Sequence, residues 1–155
     1  MRQRFYFDTS VFGGAFDDEF EKASLILFEK VKLGAIICVC SELSETELQL
    51  APVKVRSFFE GLPSAKIEML VVSEEALNLA QQYILENVVG KTSFADCLHI
   101  ALATIAKVDM LVSWNFKHIV NVYRIRGYNS VNLKMGYGII EIRSPKDIVG
   151  DESED

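Results

Sequence analysis

Cysteine and histidine are scarce in this chain of 155 residues, which holds three of the first and two of the second. A zinc site needs four Cys or His ligands at a recognisable spacing, and these residues supply none. The thiols are odd in number, and Cys38 and Cys40 fall on one side of an alternating strand pattern with apolar neighbours, which reads as core packing. Positive charge is also short: 16 Lys and Arg stand against 22 Asp and Glu, for a net charge of −6. That balance argues against a broad electrostatic grip on nucleic acid, which relies on Lys and Arg displacing counterions from phosphate. No apolar run reaches bilayer length, and no charged-then-apolar leader precedes the first strand pattern, so a soluble, cytoplasmic protein with no membrane contact is expected. Internal repeats and Ser/Gly/Pro-rich linkers are missing too, which favours one domain over two.

Apolar residues make up 50% of the chain, enough for one well-buried core. The negative charge is uneven. Asp151, Glu152, Glu154 and Asp155 carry four of the charges, leaving about −2 on the rest. The expected division is therefore a single domain over 1–148 and a flexible acidic tail over 149–155.

Along the chain, Arg4 to Phe7 reads as a short aromatic strand, followed by the small polar residues of a turn and helix start. From Glu19 to Leu33 apolar residues recur at helical spacing, and Gly34 stands where a helix C-cap should. Ala35 to Cys40 is a second strand. Ser41 opens a polar helix that stops near Pro52, and a short helix follows around Val55 to Phe59. Ile67 to Val72 is a third strand, ahead of a helix from Glu74 to Glu86 that Ser73 can cap. Ser93 to Ala106 is apolar around nearly its whole circumference, the mark of a helix buried inside a domain. Met110 to Ser113 is a fourth strand, Asn115 to Tyr128 is mostly helical, and Gly138 to Ile142 is a last, edge strand. Strand and helix alternate, which predicts an α/β fold: a three-layer sandwich with a parallel sheet of four to five strands flanked by helices.

In such a sheet ligands bind beyond the carboxyl ends of the strands. Asp8 follows strand one, Glu47 lies in the helix after strand two, Asp96 sits in the first turn of the central helix, and Asn115 follows strand four. Three carboxylates gathered at one edge would repel one another unless a cation lay between them, and oxygen ligands favour a hard ion, Mg²⁺ or Mn²⁺. Such an ion lowers the pKa of a bound water for attack on phosphate. Helix capping competes as an explanation, because Ser93-x-x-Asp96 and Ser44-x-x-Glu47 both resemble capping boxes.

The stretches YFDTSVFGG, CSELSETEL, SFADCLHIALATIA and DMLVSWNFKHI resemble, in order, the four acidic motifs of the PIN-domain nucleases, across nearly all of the chain. The likeness is strongest to the single-domain bacterial members that serve as toxins of type II toxin–antitoxin pairs. It implies a PIN-like fold, Mg²⁺- or Mn²⁺-dependent cleavage of RNA, homodimerisation and a small antitoxin protein as partner. The family's acids fall on Asp8, Glu47 and Asp96, with Asn115 at a fourth position where most members have Asp. An amide supplies no charge, so one tightly held ion and a weaker second are expected. Asp109 cannot substitute, since it lies at the other end of strand four, roughly 20 Å away at about 3.3 Å per residue.

Ser10, Lys117 and His118 are candidates for substrate contact, although capping explains Thr9 and Ser10 and a solvated helix start explains Lys117. His99, one helical turn from Asp96, reads as a satisfied core group outside the ligand set. Trp114 is a base-stacking surface or a core plug. Asp17 and Asp18 rim the site or face water, and Arg124, Arg126 and Lys134 form the nearest basic cluster. Aspartate-nucleophile phosphatases and receiver domains also place Asp after strand one, but the first need a second Asp where Ser10 stands. The non-catalytic rival is a PIN-like module that binds RNA or protein without cutting.

Overall fold

The computed structural model describes residues 2–150. Five strands, β1 (Gln3–Phe7), β2 (Ile36–Ser41), β3 (Ile67–Leu70), β4 (Met110–Val112) and β5 (Ile142–Arg143), form one all-parallel sheet in the order β3-β2-β1-β4-β5. Phe5 pairs with Cys38 on one side and Met110 on the other, so β1 is the central strand and Asp8 leaves the sheet at its middle.

Alternation along β1 divides the core in two. Phe5 and Phe7 face a layer built by α1 (Thr9–Gly14), α2 (Glu21–Lys32), α4 (Val53–Glu60) and α8 (Pro145–Val149), while Tyr6 faces α5 (Glu74–Leu85), α6 (Phe94–Ile105) and α7 (Val122–Lys134). The three-layer α/β architecture is therefore the expected one, with the sheet at its full five strands. Eight consecutive residues of α6, Cys97 to Thr104, are buried, as its continuous apolar circumference requires. Cys38 and Cys40 are buried free thiols on one face, with sulfurs 3.7 Å apart. Gly34 closes α2 with φ of +77°, where only glycine sits without strain.

Three local expectations change. Residues 115–121 are turns, and the helix begins only at Val122, because Asn121 is the N-cap whose side chain accepts from the backbone N–H groups of Tyr123 and Arg124. Asn115, the expected helix start, instead turns its side-chain oxygen onto the backbone N–H groups of Lys117 and His118. The edge strand is Ile142–Arg143, shorter and later than expected over 138–142. Val149, the first residue of the expected tail, belongs to the fold: Ser144 and Asp147 form a capping box, Pro145 opens α8, and Val149 closes it, buried against the α2 layer. The tail's remaining residues, 151–155, lie outside the described ones.

Arg4 marks the opposite end of the sheet. Its guanidinium binds Glu68 at 2.6 and 2.8 Å, and its backbone N–H donates to Asp109 at 2.7 Å. Asp109 is thus a structural group at the amino ends of the strands, far from the carboxyl edge. Arg124 and Lys134 fasten α7 to the end of α5, through the Val88 carbonyl and Glu86 respectively, so two of the three residues of the basic cluster have structural partners.

Candidate active site

At the carboxyl edge, Asp8 is buried at 5% exposure and acts as the N-cap of α1 without a side-chain capping bond. Its Oδ2 accepts from Ser10 Oγ at 2.7 Å and from Ser113 Oγ at 2.8 Å. Ser10 Oγ also accepts from the Trp114 backbone N–H at 2.9 Å, tying α1 to the end of β4. Ser10 is therefore engaged in orienting Asp8.

Glu47 lies in the last turn of α3 (Glu42–Gln49), and capping does not occupy it. The capping box of α3 is Ser41 with Ser44, three residues earlier than the Ser44–Glu47 spacing suggests. Glu47 Oε1 instead accepts from Thr9 Oγ1 at 2.6 Å and from His99 Nε2 at 2.6 Å. The Thr9 hydroxyl is committed to this second acid, where α1 capping was the sequence-level explanation.

Ser93 makes no capping bond with its side chain, so Asp96 is free of the box its spacing resembles. Asp96 Oδ1 faces Asn115 Nδ2 at 3.4 Å. Asn115 Oδ1 accepts from the backbone N–H groups of Lys117 and His118 at 3.2 and 2.9 Å. The amide oxygen, the atom a metal would want, is thus already used twice, and the amide nitrogen faces the neighbouring carboxylate.

His99 is the residue that sequence reasoning left out. It is 1% exposed, its Nδ1 is 2.6 Å from Tyr6 Oη, and its Nε2 is 3.6 Å from Asp8 Oδ1 as well as 2.6 Å from Glu47. It is a satisfied core imidazole, as expected, but what satisfies it is one of the candidate acids. The Asp96–His99 spacing places both on one face of α6. That Glu47 meets the same face depends on how α3 packs, which the spacing does not contain.

The electrostatics follow from this geometry. Burial raises the Asp96 carboxyl and Asp8 raises it further, against the pull of His118 and His99, with the net result above the ordinary carboxylate value. Burial alone would raise Glu47 too, but the His99 hydrogen bond and charge, with the Thr9 hydroxyl, bring it below. Burial would lower His99, yet Glu47, Asp8 and Asp96 together raise it. Among the described residues no Lys or Arg pairs with Asp8, Glu47 or Asp96.

Two observations bear on a metal. Among the described residues no three His, Cys, Asp or Glu side chains are gathered tightly enough to close a cage by themselves. The donor chemistry nevertheless fits a hard divalent cation. Each acid has one oxygen held by the protein, while Asp8 Oδ1, Glu47 Oε2 and Asp96 Oδ2 accept no hydrogen bond from the described residues.

Beside the acids runs a cleft of 520 Å³ lined by Ser10, Gly13, Gly14, Asp17, Phe20, Trp114 and Asn115. Asp17 lines this cleft and, like Asp18, is exposed; its Oδ1 accepts from the Glu19 backbone N–H at 2.9 Å. Trp114 serves as a core plug: it is 8% exposed, stacks on Phe20 at 4.1 Å, and donates its Nε1–H to Ser24 Oγ at 2.8 Å. The exposed ring nearby is Phe116. Lys117 faces solvent and His118 is half-buried, with its Nδ1 buried and unpartnered.

No protein-family model matches the chain, and no curated protein matches it in sequence. Solved structures do match in fold. The crystal structure of VapBC2 from Rickettsia felis, bound to a DNA fragment from their promoter, aligns with a TM-score of 0.59 and 12% identity over 92% of this chain and 98% of that one. FitAcB from Neisseria gonorrhoeae aligns with a TM-score of 0.57 and 13% identity, over 91% and 97%. Tyrosyl-tRNA synthetase from Aeropyrum pernix aligns at 0.50 and 12% identity, with only 52% of its chain covered. At these identities the likeness is one of fold: the chain has the PIN-like α/β sandwich that its four motifs imply. Among the described residues no helix is long and apolar enough to cross a membrane.

Proposed function

We propose that this chain is a Mg²⁺- or Mn²⁺-dependent endoribonuclease, acting in the cytoplasm as the toxin of a toxin–antitoxin pair. The observation that carries this reading is the set of three carboxylates at one sheet edge, none paired with Lys or Arg, each with one oxygen held and one open. Three acids in a partly buried site, with His99 as their one charged partner among the described ion pairs, call for a cation. The match in fold along almost the full length of the VapBC2 and FitAcB chains supports the same reading at the level of architecture.

Asp8, Glu47 and Asp96 would hold the ion through their open oxygens. When bound, such an ion would supply Lewis acidity toward a substrate phosphate and toward a water whose deprotonated form is the nucleophile. Everything else falls to the chain. Ser10 and Ser113 keep the Asp8 carboxylate from rotating, Thr9 does the same for Glu47, and Asn115 donates to Asp96. Lys117 would supply charge to an approaching phosphate, and His118, near enough for its charge to lower the Asp96 carboxyl, would assist proton transfer. With Asn115 short of one charge, a second ion binds weakly. A homodimer and a small antitoxin protein complete the proposal.

A second reading, a PIN-like module that binds RNA or protein without cutting, is favoured by one observation: the Asn115 oxygen is spent on backbone N–H groups. Cleavage of a panel of structured RNAs by the wild type and Asp96→Asn, with Mn²⁺, with Mg²⁺ and with chelator, separates the two. The nuclease cuts only with metal and stops cutting in the variant; the binding module cuts under no condition while retaining RNA.

A further inference from the structure

We infer that His99 is a positioning residue of the site, which takes one carboxylate oxygen of Glu47 and so leaves the other for the ion. This rests on the metal-dependent reading above.

An ionised carboxylate only accepts hydrogen bonds, so the proton in the 2.6 Å contact with Glu47 Oε1 belongs to His99 Nε2. A ring that can spin about its side-chain bonds would hold nothing. This one is clamped: Tyr6 Oη meets Nδ1 at 2.6 Å, and the same hydroxyl meets Ser41 Oγ at 2.8 Å. Ser41 is the N-cap of α3, the helix that carries Glu47. The hydrogen bonds therefore close a loop from β1 through α6 to both ends of α3. A purely structural imidazole needs only two buried partners, and hydroxyls or carbonyls would serve. Here the second partner is a carboxylate whose side chain is 32% exposed at the mouth of the site, and it is bound by the same oxygen that Thr9 takes. Two donors on one oxygen fix the plane of the group. This is the role that outer partners play around ligating carboxylates.

The test is Mn²⁺ affinity, measured calorimetrically on the full chain alongside RNA cleavage. His99→Leu removes the donor, whereas His99→Gln places an amide nitrogen about where Nε2 lies. Positioning predicts that His99→Leu weakens Mn²⁺ binding by about 10- to 100-fold while His99→Gln stays within about threefold of wild type. A folded His99→Leu protein, shown by its circular dichroism and a cooperative melt, with wild-type Mn²⁺ affinity overturns the inference. If His99→Leu does not fold, Tyr6→Phe decides against Ser41→Ala as its control, since both lose the Tyr6–Ser41 contact and only the first frees the ring: Mn²⁺ binding weakened in Tyr6→Phe alone supports positioning, and equal weakening in both or unchanged binding overturns it. Wild-type protein that binds Mn²⁺ through His99-dependent contacts but cuts no RNA overturns the nuclease reading alone. Wild type that binds no Mn²⁺ overturns both.

Discussion

Ser113 and Asp8 stand 105 positions apart in the chain, and the Ser113 hydroxyl donates to Asp8 Oδ2 at 2.8 Å. The contact is made because β4 pairs with β1 in register, with Phe7 opposite Val112, so that the next residue of each strand emerges at the same level. Ser113 Oγ also accepts from the Asn115 backbone N–H at 2.9 Å, which links the first acid to the turn that carries the fourth position.

Ser113→Ala should therefore act at a distance in sequence. Among the described residues the buried Asp8 carboxylate then keeps only Ser10 as a side-chain hydrogen-bond donor, and the loss of a hydrogen bond to a charged group costs about 1.5–3 kcal/mol in folding stability. Urea denaturation measures that loss. Mn²⁺ titration should show weaker binding as well, because Asp8 can then rotate. A stability loss without a change in Mn²⁺ affinity would remove Asp8 from the ligand set.

Asp96→Asn should make the metal-free protein more stable at neutral pH. The folded pKa of Asp96 is raised above its ordinary 3.8, chiefly by burial and then by Asp8. The folded state thus holds the proton more tightly than the unfolded chain. Stability from this group is complete below the ordinary value and is lost as pH rises through the folded one. Asn keeps an oxygen for the Asn115 amide and removes the charge. Melts between pH 3 and 7 in chelator should show the variant ahead at neutrality, with the difference closing near the ordinary carboxylate value. A variant that melts lower at pH 7 would mean that the crowding is not felt.

Asn115→Asp restores the acid that the motif resemblance implies. The carboxylate can still accept from Lys117 and His118, but its second oxygen replaces an amide donor 3.4 Å from Asp96. Without metal the variant should lose roughly 1 kcal/mol to like-charge repulsion. With Mn²⁺ it should recover more stability than the wild type does and show a second, tighter binding step. Thermal melts with and without Mn²⁺ check both parts, and an identical Mn²⁺ response in the two proteins would count against Asn115 belonging to the site.

Gly14→Ala tests the wall of the cleft. A Cβ at Gly14 would stand 2.6 Å from Trp114 Nε1 and 2.7 Å from Ser24 Oγ, inside the hydrogen bond those two make. Overpacking at a rigid aromatic costs about 1–3 kcal/mol. Denaturant unfolding followed by the fluorescence of Trp114, the single tryptophan, should report both the loss and the altered ring environment.

Which end of the sheet the candidate acids and Asn115 reach was largely legible in the sequence. Asp8 and Asn115 come after strands and Asp96 lies in the first turn of a helix, positions that parallel topology delivers to one edge, whereas Glu47 comes from the last turn of α3. Asp109 was legible as an outsider by the same geometry, and Arg4 holds it at the opposite end. What stayed hidden was pairing between elements. Ser44-x-x-Glu47 looked like a capping box because the spacing is right, but Ser41 is the true cap and Glu47 was left free for Thr9 and His99. His99 was visible as a neighbour of Asp96 on α6, whereas its contact with Glu47 depends on how α3 packs against α6. Helix α8 had a usable signal, Ser144-Pro145 followed by Asp147, that the adjoining acidic tail obscured.

The sheet order gives the site a property of timing. Asp8 and Glu47 are made first, on β1 and α3, but Asp8 gains its Ser113 partner only when β4 slots in beside β1, and Asp96 and its Asn115 neighbour come from the same later half of the chain. A chain interrupted near residue 90 has two acids of the three and neither Ser113 nor His99 to aim them. In a chain of this topology the three acids and the groups that orient them come together only after its second half has been made and folded onto the first.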